Sequence, residues 1–327
     1  MRTFHSLSEL PADFGHTVIS IGNFDGVHRG HQMVIAEVIA RARTLDARSL
    51  AVTFFPHPGR VLRPEGGLRL ITPAPQKLAL LAATGIDATL VLPFTPEFSH
   101  LSARDFAQQV LQQILHAIEV HEGENFRFGY QAEADIAGLS SLGAELGFGV
   151  RSYVPRQLRG TLISSSAIRN FISAGEVHRA RALLGRSFSI FSTPKPGRGY
   201  GTKYAVPTIN LAPYAELLPG NGVYITQVKI ADECFNALTN IGNRPTFGAD
   251  SFAVESHLLN FHTIDLAEDT PLEVTFLKRI RSEQKFDSPE SLRAQIMRDV
   301  THANRYFNLA AATKSLANPL AVPQAVE

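Results

Sequence analysis

The feature that most constrains this chain is a glycine-punctuated turn at residues 22–31, between an apolar run and an amphipathic segment. The run, residues 18–21, is typical of a buried strand, and apolar residues recur at a helical spacing after the turn. Glycine permits positive φ and close approach of the backbone, so the sequence predicts a strand, a tight turn and a helix. The glycines of the turn are Gly22, Gly26 and Gly30, and the histidines at the predicted helix start are His28 and His31.

This turn has the chemistry of a phosphate site. The free N–H groups and positive dipole end of a helix attract phosphate, and two imidazoles can donate hydrogen bonds to its oxygens. Two other interpretations stay open here. His28-x-x-His31 beside Asp25 has the residue types of a zinc site, without an intervening Glu or a cysteine ligand. The motif also fits a plain glycine turn with two exposed histidines.

Length and composition bound the class of protein. A chain of 327 residues favours two domains, each able to bury a core. With 31 basic and 30 acidic residues, the charge gives no reason to expect a nucleic-acid partner. Cys234, the only cysteine, excludes an intramolecular disulfide and fits a reducing cytoplasm. We find no signal-peptide pattern and no apolar run of roughly 20 residues, so we expect no membrane insertion; the pattern specifies no oligomeric state.

Strand and helix patterns alternate through the first half of the chain. This alternation predicts an α/β domain with a parallel, Rossmann-like sheet, whose ligands collect beyond the carboxyl ends of the strands. The predicted strands are residues 18–21, 50–54, 88–92 and 149–154, and the predicted helices are residues 33–43, 76–83, 103–118 and 135–146.

Three loops of this half offer ligand contacts at that sheet edge. The first is Pro-stiffened, the second carries an amide, a guanidinium and two phenylalanines, and the third has three serines and an arginine at a helix start. Their plainer interpretations are a rigid turn, a core contact and a helix cap. The candidate residues are Pro56, His57, Asn125, Arg127, Ser164, Ser165, Ser166 and Arg169.

The second half has a different pattern. Apolar and polar residues alternate in short runs, which predicts an antiparallel barrel or sandwich followed by a helix at residues 288–307. The predicted strands are residues 188–191, 222–230, 234–241, 253–261 and 272–280. The predicted domains are residues 1–175 and 187–309, joined by a helix at 176–186 and followed by a disordered tail at 310–327.

Three features of the second half could carry chemistry. A glycine-rich basic loop with Gly199, Gly201 and Lys203 could surround a polyphosphate. Thr208 and Asn210 put two hard oxygen donors, suited to Mg²⁺, on one face of an extended segment, and Glu255 in a strand-like run could act as a general base. A surface turn, a strand end and an exposed face explain the same residues equally well.

Taken in order, these motifs resemble the bifunctional bacterial riboflavin kinase/FAD synthetase family from about residue 15 to about residue 307. The stretch at residues 22–31 is similar to the family's nucleotidyltransferase motif. Residues 55–58, 125–129 and 163–169 resemble its other adenylyltransferase motifs. The segments similar to its kinase motifs are residues 207–210, 222–224, 240–248, 254–259 and 281–286.

The resemblance implies two reactions that use ATP and Mg²⁺. A C-terminal riboflavin kinase barrel would convert riboflavin to FMN, with Glu255 as the base and Thr208 and Asn210 on Mg²⁺. The N-terminal nucleotidyltransferase domain would adenylylate FMN to FAD, with His28, His31 and Arg169 stabilising charge. The implied ATP contacts are Gly22, Asn23, Phe24, Asp25, Gly26, Gly30, Ser164, Ser165, Ser166, Gly199, Gly201 and Lys203. The implied flavin contacts are Pro56, His57, Asn125, Arg127, Arg281 and Phe286.

The segment at residues 201–210 departs from the family's usual pattern, because it lacks an arginine and a glycine of the nucleotide loop. Two alternatives therefore stay beside the bifunctional enzyme. One is an FAD synthetase with a vestigial kinase barrel, and the other is a non-enzymatic flavin-binding regulator. The retained Thr208, Asn210 and Glu255 favour an enzyme, since binding alone needs no metal ligands and base.

Overall fold

The computed structural model describes residues 1–195, 208–243, 252–262 and 266–317. The chain divides into two compact units. The first contains Met1–Asn170 and Ala182–Gly185, and the second contains Phe171–Arg181 and Arg186–Glu327.

The first unit is built on a six-stranded sheet in which every pair is parallel. Its order is β1-β4-β3-β2-β5-β6. Strands β3 and β4 follow β2 on one side, and β5 and β6 lie on the other side, so the strand order reverses between β2 and β5. The crevice at such a switch point is where open α/β sheets bind ligands, and the turn at residues 22–31 follows β2. The strands are β1 (Arg2–Phe4), β2 (Thr17–Ile21), β3 (Arg48–Phe55), β4 (Ala88–Pro93), β5 (Ala117–Gly123) and β6 (Gly149–Tyr153).

Helices cover both faces of this sheet, which explains why all five residues of β2 are buried. A hairpin, β7 (Gln157–Leu158) and β8 (Thr161–Leu162), precedes the last two helices, each of which is divided between the two units. The helices are α1 (Arg29–Thr44), α2 (Pro58–Leu62), α3 (Ala74–Ala82), α4 (Pro96–Ser99), α5 (Ala103–Asp105) with a π-helical continuation (Phe106–Ile114), α6 (Ile136–Leu146), α7 (Ser165–Ser173) and α8 (Val177–Leu184).

The predicted Rossmann-like sheet is confirmed, but two of its six strands, β1 and β5, were not predicted. The helix predicted at residues 103–118 ends at Ile114, and the next residues form β5 beside the central strand. His116 breaks the pattern by adopting a positive φ of 46°. Positive φ is uncommon for a residue other than glycine, so the sequence gives no sign of a break at His116. The predicted helix was therefore continued through it along the apolar pattern.

The second unit contains a curled, antiparallel seven-stranded sheet with the order β10-β11-β14-β13-β12-β15-β9. Its two edge strands, β9 and β10, are separated only by Thr193, so the sheet must curl until its edges meet. The predicted antiparallel barrel is thereby confirmed. The strands are β9 (Phe188–Ser192), β10 (Pro194–Lys195), β11 (Thr208–Leu211), β12 (Gly222–Ile230), β13 (Glu233–Asn243), β14 (Phe252–Leu258) and β15 (Leu272–Arg281).

The last helix, α9 (Pro289–Ala317), packs Val300, Ala303 and Phe307 against a cluster that includes Val223 and Ile225 of β12. It continues ten residues past the predicted end at 307. Residues 310–317, predicted to belong to a disordered tail, are therefore helical, because alanine is the best helix former. Residues 318–327 lie outside the described part of the chain.

Candidate active sites

The turn after β2 places two stacked imidazoles at the start of α1. His28 caps the helix, because its Nδ1 accepts a hydrogen bond from the backbone N–H of His31 at 3.3 Å. The two rings stack with centroids 3.5 Å apart. A neutral His28 ring that accepts at Nδ1 carries its proton on Nε2, so Nε2 is a donor. The predicted strand, turn and helix are confirmed, and the helix N-terminus and a ring N–H lie at the switch-point edge.

His31 has a buried Nδ1 without a hydrogen-bond partner among the described residues. Burial holds the pKa of His31 well below its usual value, and the neighbouring His28 and Lys77 add to the shift. The ring is therefore neutral at physiological pH. Nowhere in residues 1–195, 208–243, 252–262 and 266–317 do three His, Cys, Asp or Glu side chains come together as a possible metal site. That geometry gives the zinc interpretation no support.

Asp25 fastens the turn to two other segments of the first unit. Its buried carboxylate accepts hydrogen bonds from the backbone N–H groups of Ile71 and Thr72, at 3.1 and 3.0 Å. The Arg169 guanidinium donates to the same carboxylate at 2.6 Å, and the Ser165 hydroxyl donates to the Asp25 backbone oxygen at 2.8 Å. The structure thus brings these predicted residues together, and Asp25 acts as the anchor that positions Arg169.

The three serines of the third loop have different positions. Ser164 accepts a hydrogen bond from the Ala167 N–H at 3.2 Å, as a helix cap does, whereas Ser165 and Ser166 are the first residues of α7. The hydroxyl of Ser164 thus caps the helix, and the hydroxyl of Ser165 binds the Asp25 backbone oxygen.

A narrow cleft beside the turn is lined by Asn23, Asp25, Phe55, His57, Thr72 and Lys77. His57 follows Pro56 and caps α2, since its Nδ1 accepts from the Gly59 N–H at 3.0 Å. Burial lowers the pKa of His57 to about 4, so this ring is neutral. Thr72 and Lys77 were missed by sequence reasoning. The available signal was one lysine in the otherwise uncharged α3 segment.

The loop after β5 is only partly a binding loop. Phe126 and Phe128 stack with centroids 5.4 Å apart and pack on the main core, which agrees with the plainer interpretation of this motif. Arg127 is exposed and lies 3.6 Å from Asp135. Asn125 lies beside them in the turn. No contact in the described residues brings Arg127 to the cleft.

A larger, open cavity of about 570 Å³ lies in the same unit, and sequence reasoning did not find it. Its size suits a small-molecule ligand. Met33, half a turn beyond His31 on α1, forms one wall, and the end of β6 with the following residues forms the other.

In the second unit, strand register brings the predicted kinase residues together. Asn210 of β11 lies opposite Glu255 of β14, which lies opposite Asn240 of β13. Directly opposed residues share a face of a sheet, so these three side chains form one row. Thr208 is two residues from Asn210 and therefore on the same face, opposite His257.

The other face of these strands carries a buried hydroxyl ladder. Thr239 lies within hydrogen-bonding distance of Thr226, at 2.7 Å, and of Ser256, at 2.9 Å. All three side chains are fully buried. The row of Asn210, Glu255 and Asn240 is thus backed by a polar layer with satisfied hydrogen bonds. Gly199, Gly201 and Lys203 lie outside the described residues.

Arg281 and Phe286 also lie together. Arg281 donates from Nε to the buried carboxylate of Asp299 at 2.9 Å, and its guanidinium carbon is 5.8 Å from the Phe286 ring centroid. Gln295 donates to the other Asp299 oxygen at 2.8 Å. Arg281 therefore joins the end of β15 to α9.

Two family models match the chain, one in each half. The FAD synthetase model matches residues 10–167, and the riboflavin kinase model matches residues 184–307. A bifunctional riboflavin kinase/FMN adenylyltransferase from Pseudomonas fluorescens is 35% identical over 93% of this chain and 97% of its own length. The chain belongs to this bifunctional family. The relative of the same name from Escherichia coli K12 is 32% identical over 94% of this chain and 98% of its own length.

A solved structure has the same fold as this chain. A crystal structure from Streptococcus pneumoniae, named as a macrolide-efflux protein, superposes with a TM-score of 0.84 at 25% identity and covers 92% of this chain and 98% of its own. In the described ranges, no helix has the length and apolar character needed to cross a membrane. The FAD synthetase match contains the turn at residues 22–31, and the riboflavin kinase match contains the row around Glu255.

Proposed function

We propose that each of the family's two reactions is carried out by the site of one unit. The chain phosphorylates riboflavin to FMN with ATP, and it adenylylates FMN to FAD with a second ATP, releasing pyrophosphate. The observation that supports the assignment is that central residues of each predicted set lie together within one unit. Glu255 is in register with Asn210 in the second, and His28 stacks on His31 in the first.

In the kinase step, Glu255 takes the proton from the ribityl hydroxyl as that oxygen attacks the γ-phosphorus of ATP, and the bond from that phosphorus to the leaving ADP breaks. A carboxylate in a partly exposed strand can accept a proton directly, and Glu255 lies opposite Asn210, one of the two proposed Mg²⁺ ligands. Thr208 and Asn210 offer hard oxygen donors on that face and would hold Mg²⁺. Bound there, the ion would offset negative charge on the phosphates.

In the adenylylation step, a phosphate oxygen of FMN attacks the α-phosphorus of ATP, and the bond to pyrophosphate breaks. No protein nucleophile is needed, so the residues act by positioning and electrostatics. The start of α1 and the Nε2–H of His28 would stabilise charge on the phosphates. The neutral His31 ring would serve as a hydrogen-bonding group. Asp25 would hold the Arg169 guanidinium beside the turn, where its positive charge faces the phosphates.

The remaining contacts are assigned by position. We place the ATP of this step along the turn and α7 start, with its base in the cavity walled by Met33. We place flavin contacts at Pro56, His57, Asn125 and Arg127 in the first unit, and at Arg281 and Phe286 in the second. Gly199, Gly201 and Lys203 remain predicted ATP contacts of the kinase. We also propose a cytoplasmic location, which the single cysteine supports.

The test is to incubate the purified chain with ATP, Mg²⁺ and either riboflavin or FMN, and to separate the flavins by chromatography. We expect riboflavin to yield FMN and then FAD. FAD from FMN but none from riboflavin would leave only the FAD synthetase with a vestigial barrel. Flavin binding without either product would favour the regulator.

A further inference from the structure

We propose that Lys77 is a further catalytic residue of the adenylylation site, donating a hydrogen bond from its ammonium to a phosphate oxygen of a substrate. Lys77 lines the cleft together with Asn23, Asp25 and His57. The inference rests on the proposed placement of FAD formation in this part of the first unit.

The burial of Lys77 is the first argument. Its relative exposure is 7%, and it is the only charged residue among the nine of α3. A buried ammonium loses its hydration and destabilises the fold unless other groups replace the lost water. A leucine or methionine would occupy similar space without that cost, so the charge itself needs an explanation.

The partners of Lys77 do not neutralise it. Its Nζ donates to the Asn23 backbone oxygen at 3.2 Å and to the Thr53 hydroxyl at 2.9 Å, and both acceptors are uncharged. An ammonium has three N–H donors, so one remains beyond these two bonds in the described part of the chain. The facing carboxylate of Asp25 is already paired with Arg169. An anionic substrate group would supply the missing acceptor and countercharge.

The two acceptors also fix where the ammonium is. Asn23 lies in the turn directly after β2, and Thr53 lies near the carboxyl end of β3. Lys77 is thereby held at the sheet edge from which the turn leads to His28. FMN and ATP both carry phosphate oxygens, and a charged donor at this position can form a charge-assisted hydrogen bond to either.

The primary test compares Lys77→Met, which keeps the length and removes the charge, with Lys77→Arg, which keeps the charge. We expect Lys77→Met to lower kcat/KM for FAD formation by about 100-fold, the usual effect of losing one charge-stabilising donor. Lys77→Arg should recover part of the loss. Riboflavin phosphorylation by the same preparations should stay within about twofold, which shows that the effect is confined to the first unit.

The Michaelis constants identify the phosphate. A raised KM for FMN alone would assign the contact to the FMN phosphate, and a raised KM for ATP alone would assign it to ATP. If Lys77→Met retains FAD formation while His31→Ala loses it, the Lys77 proposal is wrong and the site stands. If neither variant loses FAD formation, the placement of the site is wrong.

A pH profile tests the charge even if Lys77→Met does not fold. Burial outweighs the attraction of Asp25 and lowers the pKa of Lys77 to about 8. We therefore expect kcat/KM for FAD formation to fall as the pH rises through about 8, and Lys77→Arg to abolish that fall. The neighbouring His57 and His31 do not titrate there, because burial lowers the pKa of both rings and keeps them neutral. An identical fall in Lys77→Arg would overturn the proposal.

Discussion

Glu255 lies in a row whose other members, Asn210 and Asn240, cannot accept a proton, so it is the one base of that row. Glu255→Gln keeps the shape of the side chain and removes this capacity. We expect kcat for riboflavin phosphorylation to fall about 100- to 10,000-fold, with little change in the KM for riboflavin. Steady-state assays of FMN formation measure the effect.

The same preparations provide a control, because FAD formation from FMN takes place in the other unit. Glu233→Gln, at an exposed glutamate at the start of β13, should leave both reactions unchanged. A loss below about fivefold in Glu255→Gln would remove Glu255 from its proposed role.

Gly26 is constrained both by its backbone conformation and by the side chains packed against it. Its φ is +86°, and an added Cβ would lie 3.2 Å from Ile71 Cδ1 and 3.3 Å from Leu184 Cδ2. Gly85 has nearly the same φ, +84°, with nothing within 4 Å of an added Cβ. We expect Gly85→Ala to lower the free energy of unfolding by about 1 kcal/mol, the cost of the left-handed backbone alone.

Gly26→Ala should cost more than Gly85→Ala and should also reduce FAD formation, because the crowded Cβ would shift the turn that carries His28. Chemical unfolding and FAD assays on the two variants check this. Equal losses of stability would show that Ile71 and Leu184 move aside freely.

Glu119 joins three elements of the first unit. Its carboxylate accepts hydrogen bonds from Arg41 of α1, from Arg151 of β6 at 3.2 Å, and interacts with His121 of β5 at 3.0 Å. The hydrogen bond from Arg41 is the largest cause that lowers the pKa of Glu119 to about 2. Since the folded-state pKa lies below the ordinary value, this stability is present above about pH 4.5 and is lost as the pH falls toward 2.

We expect Glu119→Gln to lower the free energy of unfolding by about 2 kcal/mol at pH 7, because three donors lose a charged acceptor. The difference from the unsubstituted chain should shrink between pH 4.5 and 2. Glu145→Gln is the matched control, since it breaks an exposed pair with Arg104 and should change the free energy of unfolding much less. A Glu119→Gln loss no greater than that control would contradict the prediction.

Elements encoded by nearby residues could be predicted, whereas contacts between distant residues could not. The turn before α1 and the β12 strand follow from local glycine and apolar patterns. Asp25 and Arg169 were expected as separate phosphate ligands, yet they pair across 144 positions of sequence. Lys77 was missed for the same reason, because its acceptors Asn23 and Thr53 are 54 and 24 residues away. Single-sequence patterns report periodicity and carry no information about such pairs.

Each proposed set of residues is contained in one of the two units. FMN is the product of one site and the substrate of the other, so it must leave the first site before it reaches the second. We expect His31→Ala to convert riboflavin to FMN without FAD, and Glu255→Gln to make FAD only from added FMN. A mixture of the two variants should make FAD from riboflavin after a lag in which FMN accumulates. Chromatography over time measures this.

Each variant alone, at twice the concentration, is the control for the mixture. If both variants perform their own half-reaction and the mixture still makes no FAD, FMN does not pass through solution. The prediction of independent sites would then be wrong.

The hydroxyl ladder behind Glu255 also determines which register of β14 is stable. A slip of one residue in β14 would turn Glu255 toward the buried side now occupied by Ser256 and would carry Ser256 to the open face. A carboxylate in that layer would be strongly unfavourable, so the slipped sheet would not persist. The strand register that places Glu255, the proposed base, on the open face is therefore also the register that folds stably.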